Sequence, residues 1–473
     1  MSTGAYPLVV DLDGTLIRSD LLIESFLMLI KDNPFNLILV LCWLVKGKAH
    51  LKAEIAKRVD IPVDLLPYNQ DVLDYLAQEK AKGREIVLAT ASNERYAKAI
   101  SDHLTIFDSV FASNDHLNLS GRNKRSALTK RYGERQYSYV GNEQIDLEVW
   151  QHTHSAVVVG DSKLTLAAEM LCTIEKHIPL EKPGIRTFVK ALRVHQWVKN
   201  GLILVPLLTS HNIESIPLIF AGIVAFIAFS LCASSVYLLN DMLDLFDDRQ
   251  HATKKERPFA KGTLPLLTGL IASPALLLIA IVLCVFLPIE FLAVLAVYYL
   301  LTLAYSFKLK RLVMVDVITL ASLYTIRILA GAAAVGVTLS FWLLSFSMFL
   351  FLSLAIVKRY TELLKLRSKK ATKTLGRGYQ VQDAELLAPL GGASGYISVL
   401  VLALYINSPD VKSLYSQPEL MWPACLVMLY WVSRIWIIAH RGNMNDDPIV
   451  FALKDMASII CVLLIMAFMI IAV

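Results

Sequence analysis

The chain has 473 residues, a formal net charge of +6 at pH 7, and a composition that is 56% hydrophobic with mean hydropathy +0.54. So apolar a composition excludes a soluble protein of this length and requires several membrane spans. The modest positive charge calls for no nucleic-acid partner, since lysine and arginine beside spans are the ordinary mark of a cytoplasmic face. Of the six cysteines, Cys232, Cys284, Cys425 and Cys461 lie in apolar runs and none is closely paired, which predicts free, buried thiols.

Residues 1 to about 185 read as a mixed soluble domain, and their start carries no basic leader or cleavage pattern. Leu8-Val9-Val10 is a short strand, with Asp11-Leu12-Asp13-Gly14-Thr15-Leu16 at its carboxyl end, where open α/β sheets place their sites. Two acids one residue apart suit phosphoryl chemistry: one attacks, the other moves a proton, with Mg²⁺ between them. Two apolar stretches follow, Leu21 to Ile30 and Leu37 to Val45. Each is too short to span, so they predict cap helices, one lying against the membrane or the second domain, or packing on the domain's own core. A second strand, Glu85 to Ser92, ends in the hydroxyls of Thr90 and Ser92, either of which can hold a phosphate oxygen. Lys124 follows Gly121 in a polar turn and can offset phosphate charge. Tyr137 to Val140 is a third strand, leading into Gly141-Asn142-Glu143-Gln144-Ile145-Asp146, and Ala156 to Val159 is read as the closing strand.

These motifs resemble the haloacid-dehalogenase-like phosphatase superfamily over roughly residues 6–175, at Asp11, Asp13, Gly14, Thr15, Thr90, Lys124 and Asp146. The resemblance implies an α/β Rossmann-like domain over 1–180 with a helical cap. It also implies Asp11 as nucleophile, Asp13 as its acid–base partner, Thr90 and Lys124 on the phosphate, and Asp11, Asp13 and Asp146 around Mg²⁺. The departure is Asn142, which stands where that family has a metal-binding acid. The domain is then either a phosphatase or a retained fold that docks or regulates the membrane half.

The membrane half, 188–473, predicts an all-α domain of nine spans, at about 192–209, 214–239, 264–284, 287–304, 312–336, 341–361, 390–407, 420–439 and 454–473. Basic residues concentrate in alternate connections, which predicts a multi-pass inner (plasma) membrane protein with a cytoplasmic N-terminal domain and an external C-terminus. Arg193, Lys199 and Asn200 open the first span, where Arg and Lys can meet a lipid phosphate. Asn240, Asp241, Asp244 and Asp248 follow the second; Asn240, Asp244 and Asp248 share one helical face, and such carboxylates can hold Mg²⁺ and through it a diphosphate. Lys254, Arg257 and Lys261 come next, then Tyr305 and Lys310. Asp316 and Arg327, inside the fifth span, need partners. The connection from Lys365 to Pro389 reads as either a gate or a solvated connector.

Residues 188–473 resemble the UbiA superfamily of intramembrane prenyltransferases, through Asn240-Asp241-x-x-Asp244-x-x-x-Asp248. Within it the pattern looks most like the decaprenyl-phosphate phosphoribosyltransferase branch. The residues that carry this are Arg193, Gln196-Trp197, Lys199-Asn200, His251, Lys254, Arg257-Pro258, Gly262, Tyr305-Ser306, Leu309-Lys310, Asp316, Arg327, Ala330-Gly331, Asp447-Pro448 and Phe451-Ala452. Leu320 replaces the second acid of the quinone-type pattern, which favours that branch. The resemblance implies Mg²⁺-dependent transfer of 5-phosphoribose from phosphoribosyl diphosphate to a polyprenyl phosphate. Mg²⁺ would sit on Asp241, Asp244 and Asp248, with Lys254, Arg257 and Lys310 on phosphate oxygens and Arg193 and Lys199 at the lipid. Two alternatives stand beside it: prenyl transfer to an aromatic or other small acceptor with a non-catalytic N-terminal domain, and a transporter or scaffold. Prenyl chain length and oligomeric state stay open.

Overall fold

The computed structural model describes residues 6–180, 183–209, 214–368, 377–409, 411, 415–444 and 447–472. Residues 369–376, within the connection read as either a gate or a solvated connector, lie outside the described residues. The chain divides into two compact units, one formed by 1–192 with 237–273 and the other by 193–236 with 274–473.

The first unit is built on a six-stranded parallel sheet of β1 (Leu8–Val10), β2 (Ile86–Asn93), β3 (Ser109–Ser113), β4 (Ser138–Gly141), β5 (Ser155–Gly160) and β6 (Thr173–Pro179). The strand order is β3-β2-β1-β4-β5-β6. Both faces are covered, so the inner strands are apolar runs rather than alternating ones. Leu8, Val10, Leu88, Val140, Val157 and Val159 pack on one side, and Val9, Val87, Ala89, Tyr139, Ala156 and Val158 on the other. β1 lies between β2 and β4. The order therefore reverses beside β1, and such switch points open a crevice at the strands' carboxyl ends. Asp11 follows β1 at that position.

The sheet corrects the sequence reading in two places. β3 and β6 were not expected, and β5 is internal rather than closing. β6 (TIEKHIP) is a largely exposed edge strand whose charges guard it against further pairing, so it lacks an apolar signature. Asp161, after β5, caps the next helix by accepting from the Leu164 N–H at 3.1 Å.

Between β1 and β2 the cap comprises α1 (Leu21–Asp32), α2 (Asn36–Val45) and α3 (Lys48–Ala56). Asp20 starts α1 by accepting from the Ile23 N–H. Residues 237–273 complete the unit, and Phe246 packs against the same core as Leu12, Leu21 and Leu76. Gly262 explains one close approach there. Its φ is +72°, and a Cβ would lie 2.6 Å from the Arg18 carbonyl oxygen.

Among the described residues seven helices are long and apolar enough to cross a membrane: Ile216–Leu243, Leu266–Phe286, Ile289–Phe307, Val315–Val335, Phe341–Arg367, Val381–Ile406 and Pro418–His440. The chain is a multi-pass membrane protein. The expectation of nine spans is modified at both ends. The segment read as the first span is a 3-10 helix, Val194–Leu204, followed by a short α-helix, Val205–Thr209, and the last is the 17-residue helix Met456–Ala472. The second unit's core gathers Val317, Ala321, Ile328, Phe351, Ile356, Trp431 and Ile435. Helix Val315–Val335 lies so close to the 3-10 segment that a Cβ on Gly331 would fall 2.0 Å from the Ile203 carbonyl oxygen.

At the sheet's other end Glu175 on β6 accepts from the Tyr75 hydroxyl at 2.6 Å, the Ser155 hydroxyl at 2.6 Å and the Arg84 guanidinium. Burial works to raise its pKa, but these donors more than reverse that and hold it at about 2. A depressed carboxylate stabilises the fold above its ordinary value of 4.5 and loses that contribution as pH falls toward 2. The protection of amides in β5 and β6, measured against their intrinsic exchange rates at each pH, should therefore fall between pH 5 and pH 3 in the wild type. Glu175→Gln should be less protected than wild type at pH 5 and its protection much less sensitive to the drop.

Candidate active sites

At the carboxyl end of β1, the Asp11 carboxylate accepts from the Lys124 ammonium at 2.7 Å. Lys124 also reaches the Tyr139 hydroxyl at 2.8 Å, which donates to Asp146 at 3.0 Å. Burial alone would lower the Lys124 pKa, but Asp11 and Asp146 outweigh it and keep the ammonium charged. Asp13 accepts from the Leu21 N–H at 2.9 Å and the Ser92 hydroxyl at 2.7 Å. Burial, with Asp20 adding like charge, pushes Asp13 up to about 7. Thr90 is buried one step behind, accepting from the Ser92 N–H.

Asn142 accepts from the Thr15 hydroxyl at 2.9 Å, and Asp146 is held by the N–H groups of Asn142 and Glu143. The donor set of Asp11, Asp13 and Asp146 does not make a metal cage: Asp11 is paired with Lys124, Asp146 is engaged by three donors, and Asn142 is neutral. Among the described residues no group of three His, Cys, Asp or Glu side chains stands close enough to hold a metal ion.

One residue of this site was not singled out from sequence. Lys52 on α3 donates to the Ala91 carbonyl at 2.7 Å and to Asn118 at 3.0 Å. Burial lowers its pKa, while Asp13 and Asp20 act to raise it. The cap thus brings a second ammonium toward the acids, a role no local pattern around Lys52 announces.

Still within the first unit, the acidic loop is held by three basic side chains. One nitrogen of Arg257 lies 3.0 Å from Asp241 and 2.6 Å from Asp248, both buried. Burial pushes Asp248 up to about 6 against the pull of Arg257, and Asp241 adds to the rise. Lys31 on α1 lies 3.1 Å from Asp244 and 2.7 Å from Asp247. Arg249 forms a two-bond pair with Glu24 on α1, at 2.9 and 2.6 Å, with both side chains buried. The side-chain oxygen of Asn240 is buried without a hydrogen-bond partner. A cation already sits between Asp241 and Asp248, and an orphaned amide oxygen stands beside them in the chain. With Asp244 held by Lys31 and no third carboxylate close by among the described residues, a Mg²⁺ ion here would take Asp241, Asp248 and the Asn240 oxygen as its donors in place of Arg257. Lys254 contributes at longer range to Asp248, whereas Lys261 is engaged with Glu256 in a half-exposed pair at 2.8 Å.

The second unit places the remaining residues in three clusters. Arg327 donates to Asn200 at 2.8 Å and to the Tyr298 hydroxyl at 3.3 Å, among the rings of Phe229, Tyr298 and Tyr324. Asn200 in turn donates to Ser230 at 2.9 Å. Asp316 is paired not with Arg327 but with Arg359, at 2.5 Å, and with the Tyr379 hydroxyl. Arg359 also reaches the Tyr305 hydroxyl at 3.1 Å. Lys199 is ion-paired with Asp447, and Lys358 stands 4.0 Å from the same carboxylate. Burial opposes the charge on Asp447, but Lys358 and Lys199 hold its pKa below the usual range. Two ammonium groups on one carboxylate leave net positive charge. Arg193 enters the 3-10 segment with φ +52°, and Lys310 lies in the 3-10 turn Leu309–Arg311.

Residues 202–459 match the model of the UbiA prenyltransferase family, which is more than half of the chain. The chain belongs to the UbiA prenyltransferase family. A relative that it resembles over nearly its whole length is uncharacterized protein y4nM of Sinorhizobium fredii, 37% identical over 96% of this chain and 88% of the relative. The likeness thus extends through the N-terminal sheet domain. Decaprenyl-phosphate phosphoribosyltransferase of Mycolicibacterium smegmatis is 37% identical over 56% of this chain and 86% of its own. Among solved structures, a UbiA homolog from Archaeoglobus fulgidus bound to GPP and Mg²⁺ aligns over 60% of this chain and 99% of its own, with 15% identity and TM-score 0.46. The chain is a membrane-embedded UbiA-family transferase.

The Glu24–Arg249 pair ties α1 to the UbiA acidic loop. Glu24→Ala leaves a buried guanidinium unpaired and should destabilise the first unit by about 3–5 kcal/mol. Replacing both partners, Glu24→Leu with Arg249→Met, should cost less than the single change. Amide hydrogen exchange across α1 and residues 245–250 reads both outcomes.

Proposed function

We propose that this UbiA-family protein transfers 5-phosphoribose from phosphoribosyl diphosphate to a polyprenyl phosphate in a Mg²⁺-dependent reaction on the cytoplasmic side of the plasma membrane. The observation that carries the reading is the acidic loop, where Asp241 and Asp248 already clasp a cationic group at 3.0 and 2.6 Å. The likeness to decaprenyl-phosphate phosphoribosyltransferase over 86% of that protein supports the choice of substrate class. The basic residues between spans support a cytoplasmic N-terminal domain.

In the proposed reaction a lipid-phosphate oxygen attacks ribose C1. The bond from C1 to the diphosphate breaks, and diphosphate leaves with the electron pair. Mg²⁺ bound at Asp241, Asp248 and the Asn240 oxygen would supply charge to the leaving diphosphate. Arg257, displaced by the ion from between Asp241 and Asp248, takes up phosphate oxygens as that charge develops. Lys199 and Lys358, together exceeding the charge of Asp447, receive the acceptor's phosphate. The aromatic walls around Arg327 fix the guanidinium so that Asn200 stays oriented.

For the N-terminal domain we propose a haloacid-dehalogenase-type phosphatase that removes the 5-phosphate from the lipid-linked product. Asp11, oriented by Lys124, attacks phosphorus; the bond from phosphorus to the ribose 5-oxygen breaks, and Asp13 delivers its proton to that oxygen. Water then releases inorganic phosphate from the Asp11 acyl phosphate. Lys52 and Lys124 receive the phosphoryl oxygens.

Purified protein in detergent, given Mg²⁺, polyprenyl phosphate and labelled phosphoribosyl diphosphate, should yield a labelled lipid. Asp248→Asn should lower that rate by about 10²-fold or more, and Arg257→Ala should raise KM for phosphoribosyl diphosphate more than for the lipid. Label transfer only from a prenyl diphosphate to a small aromatic acceptor would overturn the assignment. For the second activity, Asp11→Asn should stop phosphate release from the labelled product while leaving its formation unchanged. Asn142→Asp should increase that release.

A further inference from the structure

We propose that α2 is a membrane-interface helix that beds the N-terminal cap into the headgroup region of the bilayer. This assignment is independent of the substrate reading above. The sequence of α2, NLILVLCWLV, contains no charged side chain, and only Val40 and Trp43 are buried. Leu37, Ile38, Leu41, Leu44 and Val45 form a continuous stripe at helical spacing, flanked by Leu39 on the helix and Phe35 before it. Phe35 is 78% exposed, Ile38 62% and Val45 89%. Monomeric domains rarely present so dense an apolar patch to water, and one of this kind marks an interaction surface.

The occupant is argued from chemistry and from length. Between Leu37 and Val45 the one strong hydrogen-bonding side chain, the Trp43 indole, is buried, so the exposed stripe offers only apolar groups and the Cys42 thiol. The helix's carboxyl end is bounded by Lys46 and Lys48, both exposed, and among the described residues neither is engaged in an ion pair. Ammonium groups beside an apolar helix suit anionic headgroups. Ten residues of α-helix measure about 15 Å, half of a hydrocarbon core, so α2 can lie in the interface but cannot cross it. The unit that carries α2 also contains the ends of two membrane-crossing helices, Tyr237–Leu243 and Leu266–Ser273, so a bilayer surface is already part of its surroundings. On the other side of the helix, Arg58 covers the Trp43 ring at 4.6 Å and fixes which face looks inward.

The consequence for chemistry is access. α3, which follows α2 after Gly47, carries Lys52 into the Asp11 and Asp13 site. A cap seated in the headgroups would hold that site at the level of a phosphate ester borne by a lipid.

The test uses the full chain in vesicles of phosphatidylethanolamine and phosphatidylglycerol, in a Cys172→Ser background, with a nitroxide on the exposed native Cys42. A control carries the label at Lys98→Cys, with Cys42→Ser and Cys172→Ser. Collision with dissolved oxygen, relative to an aqueous nickel chelate, should be several-fold higher at position 42 than at position 98. Lys46→Gln with Lys48→Gln should lower that ratio at position 42. A label at 42 as open to nickel as the one at 98 would overturn the proposal, because α2 would then face water. Exclusion of both reagents would overturn it equally, because protein, whether a second copy or another part of the chain, would then cover the helix.

Discussion

Glu24 and Arg249 lie 225 residues apart in sequence and are buried together. Either charge alone would be expensive to remove from water, and together, with two short charge-assisted bonds, they are tolerable only in this geometry. The pair fixes α1 against the acidic loop. Lys31, two turns further along α1, then falls on Asp244 and Asp247, and Phe246 enters the sheet domain's core. The Arg18 backbone meets Gly262 at a distance that no side chain permits. The conformation of the UbiA acidic motif is thus set in large part by residues 18–31 of the N-terminal domain.

The same compensation recurs at each candidate site. Asp11 is matched by Lys124, Asp241 and Asp248 by Arg257, Asp316 by Arg359, and Asp447 by Lys199. In a medium of low dielectric such pairs strengthen one another's orientation. They also offer an incoming phosphate or cation a partner that is already desolvated and aimed. The pairs differ in accessibility. Asp316 and Arg359 are almost wholly enclosed, which suits a framework role, whereas the Arg257 side chain is more than a quarter exposed.

How much was legible in the sequence followed from how local each signal is. The β1 strand and the Asp11 to Thr15 turn are contiguous, and so is the run from Asn240 to Asp248; both stood out. Of the cap helices α1 and α2 were visible as apolar runs too short to span, whereas α3, with the mixed sequence KAHLKAEIA, was not. β3 and β6 were not, because half-exposed edge strands carry mixed side chains. The segment 194–209 is apolar enough to read as a span, and nothing in its periodicity separates a 3-10 turn from an α-helix. Lys31, Glu24 and Lys52 were invisible for a different reason: each acts on groups 39 or more residues away, and a lone charge on a helix is ordinarily solvated. Gly262 and Gly331 were noticed as motif positions, but the carbonyl oxygens that forbid a Cβ there belong to distant segments.

The pairing of Glu24 with Arg249 also imposes an order of events on biogenesis. Synthesis at about 5–20 residues per second separates the two by roughly 10–45 s. During that interval α1 is complete but its carboxylate has no guanidinium. The apolar surface that Phe246 covers is open as well, at a time when helix Ile216–Leu243 has still to be inserted. The N-terminal domain therefore cannot reach its final packing as an independent early product. It is finished from behind, by a piece of the membrane half, and insertion of that half becomes the step that licenses the fold of the sheet domain.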